Sequence, residues 1–125
     1  MSGADAGGRK PPRSAEEAAE LERGRERMLA RHKLIEAMIR NNEQQLRNES
    51  ARGGAEIEHA CALRDCSLPD ASAETRGELE RVTARLRDLE EQHIRLVAER
   101  GWLNSSLREF DSGSSAEGHH RAGHA

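Results

Sequence analysis

Five apolar residues stand seven apart in the second half of the chain: Val82, Leu89, Leu96, Leu103 and Phe110. Leu79, Leu86 and Leu107 form a companion row three or four residues away. A helix with that spacing turns one stripe towards a second helix along its whole length, so this segment is built for a coiled coil and not for a sheet. His93 and Arg100 fill the companion row where leucine would be the more stable choice. The ten positions Leu79, Val82, Leu86, Leu89, His93, Leu96, Arg100, Leu103, Leu107 and Phe110 are therefore the expected partner-binding seam.

Two readings of His93 and Arg100 are open. Polar residues inside a seam select register and partner at a cost in stability. Alternatively the helix rolls onto Ile94 and Val97, and both polar side chains reach water along their aliphatic or ring surfaces. Ile94, Val97 and Trp102 lie off the strict seam and widen the apolar arc, which makes them a candidate second contact face. An exposed Trp is a frequent binding anchor, but packing inside the same bundle is the expectation for Trp102.

The composition leaves few other folds. Trp102 and Phe110 are the only aromatic residues of 125, and β-branched apolar residues are scarce, so a sandwich or an α/β sheet lacks its usual material. The expected class is all-α. The chain is 34% hydrophobic and 34% charged, and only 22 of the 97 residues from Ser14 to Phe110 are Leu, Ile, Val, Met, Phe or Trp. A core that thin favours association with another chain. The formal charge of −3 gives no global attraction to nucleic acid or acidic membranes. Two cysteines are too few for a disulfide framework and suit a reducing compartment. No apolar stretch is long enough to cross a membrane, and Met1 to Arg13, with Asp5, three glycines and two prolines, resembles neither a secretory signal nor a transit peptide.

Residues 1–13 are expected to be a disordered tail. Ser14-Ala15-Glu16-Glu17 is a capping box that starts a helix over about 15–52, with Leu21, Met28, Leu29, His32, Ile35, Met38, Ile39, Asn42 and Leu46 near one face. Gly53-Gly54 is expected to end it. A short connecting helix over 55–66 follows, stopped by Ser67-Leu68-Pro69-Asp70, and Asp70 or Ser72 can cap the second long helix, over 73–110. The helical domain spans 14–111, and 112–125 is expected to be a disordered Ser/Gly/His tail. The two long helices have equal expected lengths. They suit an antiparallel hairpin, which is placed ahead of an open coiled-coil dimer through the second helix.

Other chemistry is sparse. His59, Cys61 and Cys66 do not share a helix face and fit core packing better than zinc. His119, His120 and His124 could hold a metal only loosely. Neither a metal nor a cofactor is expected. Arg23, Arg25, Arg27, Arg31 and Lys33 form a basic run, but Glu20, Glu22 and Glu26 interleave it and no aromatic platform accompanies it. A leucine-zipper factor needs an uninterrupted basic helix before its heptads, and Leu68-Pro69-Asp70 stands there instead. No phosphate-binding glycine loop, nucleophile elbow or HExxH motif occurs. The sequence thus reads as a non-enzymatic coiled-coil adaptor or structural subunit of a larger assembly. Its expected partners are protein helices, from itself or another subunit, with no membrane and with nucleic acid disfavoured. The expected compartment is intracellular, cytoplasmic or cytoskeletal ahead of nuclear. The alternative is a nucleic-acid- or chromatin-associated factor that dimerises through the second helix.

Overall fold

A computed structural model describes residues 14–121, with side chains as far as 113, and contains two helices, α1 (Ala15–Cys66) and α2 (Ala73–Arg121). No strand occurs among the described residues. The chain divides into two compact units, one ending at Lys33 and the other beginning at Leu34.

In the first unit, Ser14 caps α1 as its sequence requires. The Ser14 hydroxyl accepts a hydrogen bond from the Glu17 N–H at 3.1 Å, and the Ser14 carbonyl accepts the Ala18 N–H at 3.0 Å. Every residue from Ser14 to Lys33 is exposed, including Leu21, Met28 and Leu29.

The second unit is an antiparallel hairpin. Pro69 cannot continue a helix, and the segment Leu68 to Ala71 turns with the Ala71 N–H donating to the Leu68 carbonyl at 3.2 Å. The preceding carbonyls are covered locally: the Ser67 N–H donates to Leu63 and Arg64, and its hydroxyl donates to the Arg64 carbonyl at 2.6 Å. Ser72, rather than Asp70, is the cap of α2, its hydroxyl accepting from the Thr75 N–H at 3.1 Å. Six residues, Ser67 to Ser72, therefore reverse the chain.

The register can be read from hydrogen bonds between the helices. The Asn41 side chain donates to the Leu96 carbonyl, and the Asn48 side chain donates to the Leu89 carbonyl. Both pairs of residue numbers add to 137, as an antiparallel pair without slippage demands. The same sum sets Leu34 level with Leu103, Ala55 with Val82, and Ala62 with Thr75. Buried and half-buried positions on α1 recur at four and three residues through Leu34, Met38, Asn41, Gln45, Asn48, Arg52, Ala55, His59, Ala62 and Cys66. Those on α2 recur in the same rhythm through Thr75, Leu79, Val82, Leu86, Leu89, His93, Leu96, Arg100, Leu103, Leu107 and Phe110. The large side chains come mainly from α2 and the small or short polar ones from α1. Facing large with small lets two helices approach and fill the space between them.

Three expectations change. The segment 55–66 is helical, but it is the end of α1 and not a separate element. Gly53 and Gly54 sit inside α1 because a glycine in a helix costs only about 1 kcal/mol. That cost is offset by a packed row that continues past them at Arg52 and Ala55. Likewise α2 does not stop near Phe110 but runs to Arg121. Extending a formed helix costs far less than starting one, and no proline interrupts this stretch. Thirdly, α1 packs through a different stripe from the expected one. Leu21, Met28, Leu29, His32, Ile39, Asn42 and Leu46 are exposed, while Ile35 and Met38 are half-buried. The expected tails at 1–13 and 122–125 lie outside the described residues, as do the side chains of His119 and His120.

A Cβ built on Gly53 or Gly54 meets nothing within 4 Å. Replacing both with alanine should therefore raise stability by about 1–2 kcal/mol and the melting temperature by several degrees. Thermal unfolding followed by circular dichroism checks this, and a lower melting temperature would show that the fold uses one of the glycines.

Candidate helix-binding surfaces

Each of the ten seam positions on α2 is at least half-buried. Val82, Leu96 and Leu103 are buried, and Leu79, Leu86, Leu89, His93, Arg100, Leu107 and Phe110 are half-buried. Within the hairpin the seam faces α1, so its central part is covered by the chain itself.

What α1 offers to that seam is unusual. Asn41 and Asn48, seven residues apart, are 1% and 2% exposed, and Asn41 is the largest side chain so completely buried. Each makes the same three bonds. The Asn41 amide nitrogen donates to the Leu96 carbonyl at 2.9 Å and to the Glu99 carboxylate at 2.7 Å, while its oxygen accepts from Gln45 Nε2 at 2.6 Å. The Asn48 nitrogen donates to the Leu89 carbonyl at 2.9 Å and to Gln92 Oε1 at 2.8 Å, and its oxygen accepts from Arg52 Nε at 2.7 Å. A helical carbonyl already accepting its own i+4 N–H keeps a second lone pair, and the asparagines use it. No buried side-chain nitrogen or oxygen among the described residues lacks a partner, so the polar pair avoids the penalty of unsatisfied burial.

Sequence reasoning missed this row because it looked for Leu, Ile and Met. The signal was present as Asn41, Asn48, Ala55 and Ala62 at seven-residue intervals in step with Leu34. Polar residues at such spacing are a seam feature in their own right.

Arg100 is half-buried and bonds to the opposite helix at its exposed rim. Its guanidinium donates to the Asn42 side-chain oxygen on α1, and its Nε lies 3.4 Å from Asn104 Oδ1. The helix has therefore not rolled onto Ile94 and Val97, which are 67% and 49% exposed. Trp102 is 64% exposed, and the expected packing within the bundle does not occur. It lies about 140° round α2 from Val97, at 3.6 residues per turn, so the three off-seam residues do not form one patch.

The remaining candidates stay apart. Cys61 is an exposed thiol and Cys66 a half-buried one whose sulfur lies 3.5 Å from the Thr75 carbonyl oxygen. His59 belongs to the packed row of α1. Among the described residues no three His, Cys, Asp or Glu side chains converge as a metal site would require. Two open clefts of about 310 and 360 Å³ border the hairpin. Ala62, Asp65, Glu74, Thr75, Glu78 and Arg81 line the first, and Gln44, Arg47, Asn48, Ala51 and Gln92 the second. Neither brings a His or Cys to its wall. The basic run Arg23 to Lys33 is exposed, with Arg25 paired to Glu22 at 3.3 Å. Among the described residues no helix is long and apolar enough to cross a membrane.

No protein-family model, no curated protein and no solved structure matches the chain.

The asparagine geometry separates two substitutions, one that keeps the shape and adds a charge and one that removes the polar group. Asn41→Asp places a carboxylate in a buried site against the Leu96 carbonyl and the Glu99 carboxylate, and should cost about 3 kcal/mol or more. Asn41→Leu removes the polar group altogether and should leave the melting temperature equal or higher, since Glu99 can turn to water. Denaturant unfolding of both variants beside the parent checks the order, and an Asp variant as stable as the parent would contradict it.

Proposed function

We propose that this chain is a non-enzymatic coiled-coil adaptor or structural subunit of a larger assembly, and that it holds helices of partner proteins. One observation carries the reading. Among the described residues eleven large apolar side chains are about half exposed or more, against three that are buried: Val82, Leu96 and Leu103. Isolated exposed apolar residues are ordinary, but a chain that exposes so many more than it buries has surface suited to association. The exposed pairs Ile39 with Leu46 on α1 and Ile94 with Val97 on α2 recur at helical spacing, which supports helices as the partners.

The test is affinity capture of the full chain from an extract of its source, with native mass spectrometry of the retained complexes. The expected result is one or a few stoichiometric partners rich in helix. A chain that stays monomeric at working concentration and retains nothing in stoichiometric amount would refute the adaptor reading. Capture of nucleic acid with a steep salt dependence would instead favour a factor that uses the exposed Arg23 to Lys33 run.

Partner binding should also depend on the intact hairpin. Leu89→Glu with Leu96→Glu puts two carboxylates into the seam beside Asn41 and Asn48, and should abolish both the helical signal and partner capture. Full retention of partners by an unfolded double variant would show that binding needs only a linear segment.

A further inference from the structure

The hairpin leaves a second apolar strip uncovered along one of its sides. On α1, Ile35, Ile39, Asn42 and Leu46 follow one another at steps of four, three and four, which places them in one row. On α2, Ile94 and Val97 are three residues apart. Arg100, three residues beyond Val97, donates to the Asn42 side chain. That bond joins the two rows across the groove, so both lie on the same side of the hairpin. The other side is occupied by the Asn41 bond to Glu99, the Asn48 bond to Gln92 and the Arg85 pair with Glu58 at 3.1 Å. Along the open side Ile39 is 54% exposed and Leu46 66%, level with the equally open Ile94 and Val97, while Ile35 is half-buried.

The border of this strip is acidic. Glu43 stands between Ile39 and Leu46, Glu49 lies three residues beyond Leu46, and Glu90 and Glu91 precede Ile94 by four and three residues. All four are exposed. Arg87, seven residues before Ile94, lies at the end of the strip; Arg40, Arg47 and Arg95 are exposed one step further round, beyond Glu43 and Glu91, and the Arg100 guanidinium is engaged by Asn42 and Asn104. From Leu34 to Gly113 the chain carries 16 acidic and 11 basic residues, a net −5. A second copy presenting the same face would bring one border rich in Glu against another, which like-charge repulsion disfavours. A helix with an apolar row flanked by Lys and Arg matches both the shape and the charge.

We propose that the side of the hairpin formed by Ile39, Leu46, Ile94 and Val97 binds one amphipathic helix of another protein, with basic residues beside its apolar row. This rests on the adaptor reading and adds the location of the contact and the charge of the partner.

The experiment uses the full chain and two fluorescently labelled helical peptides with the same leucine row. One peptide has Lys and Arg in its flanks and the other has Glu. By anisotropy the basic peptide should bind saturably, and the acidic one at least about tenfold more weakly. The variant Leu46→Asn with Ile94→Asn should lower basic-peptide affinity about tenfold or more while keeping its helical signal, because both side chains are exposed in the free chain. Glu43→Gln with Glu91→Gln should weaken the basic peptide several-fold and remove part of its salt dependence. Trp102→Ser, elsewhere on α2, should change nothing.

Equal binding of the two peptides, or equal affinity of parent and Leu46/Ile94 variant, would overturn the proposal. Dimerisation that is lost in the same variant by sedimentation would assign the face to a second copy and overturn it too. A natural partner retained in full by that variant would overturn this site while leaving the adaptor reading intact.

Discussion

A side-chain amide donating to the carbonyl of a neighbouring helix organises this hairpin. Asn41 and Asn48 each reach a main-chain oxygen of α2, and the depth of that reach brings the two backbones close. A leucine at either place would fill the space without a directional bond, and an alanine would leave the facing side chains without a polar tether. Each asparagine must also be fully paired to be tolerated there, which explains why Gln45 and Arg52 lie four residues after them and why Glu99 and Gln92 stand opposite. The small residues Ala55 and Ala62 extend the close approach towards the turn.

This polar row has a consequence for the rest of α1. Because the packed stripe from Asn41 to Ala55 consists of Asn, Gln, Arg and Ala, most of the long apolar residues of the helix fall on other faces. Leu46 and Ile39 end up beside Ile94 and Val97 on an open flank instead of in the seam. The hairpin is thus aligned by directional bonds while an apolar flank is left outward, an arrangement in which conformational specificity and adhesive surface come from different residues.

The parts legible in the sequence were those that depend on local chemistry or on strong apolar contrast. Ser14 and Ser72 announce helix starts through a hydroxyl placed to accept an N–H three residues on. The α2 seam stands out because leucine recurs against a charged background. The packing face of α1 was hidden because the contrast there runs the other way, with the polar residues inside. Gly53-Gly54 misled because glycine reports a local preference worth little against a long packed interface. The run of α2 past Phe110 was obscured for a related reason, since serine and glycine weaken a helix without ending it. The contacts of Arg100 with Asn42, 58 residues away in the chain, are a property of register and could be known only once the two helices were aligned.

The repetition of the asparagine contact has a metrical effect. A single such contact cannot distinguish the observed alignment from one displaced by a whole heptad, because leucines recur at that interval on α2. Two contacts differ in this respect. A displacement of seven residues would still leave one asparagine opposite a contact set that now serves its twin, either Leu96 with Glu99 or Leu89 with Gln92, but would set the other opposite Val82 or Leu103. A slide of seven residues is about 10 Å, which the six-residue turn could follow only by giving up the Ala71–Leu68 bond and the Ser67 and Ser72 hydroxyl bonds that close it. Turn and asparagines together behave as a vernier, two coarse scales whose single coincidence reads out one alignment.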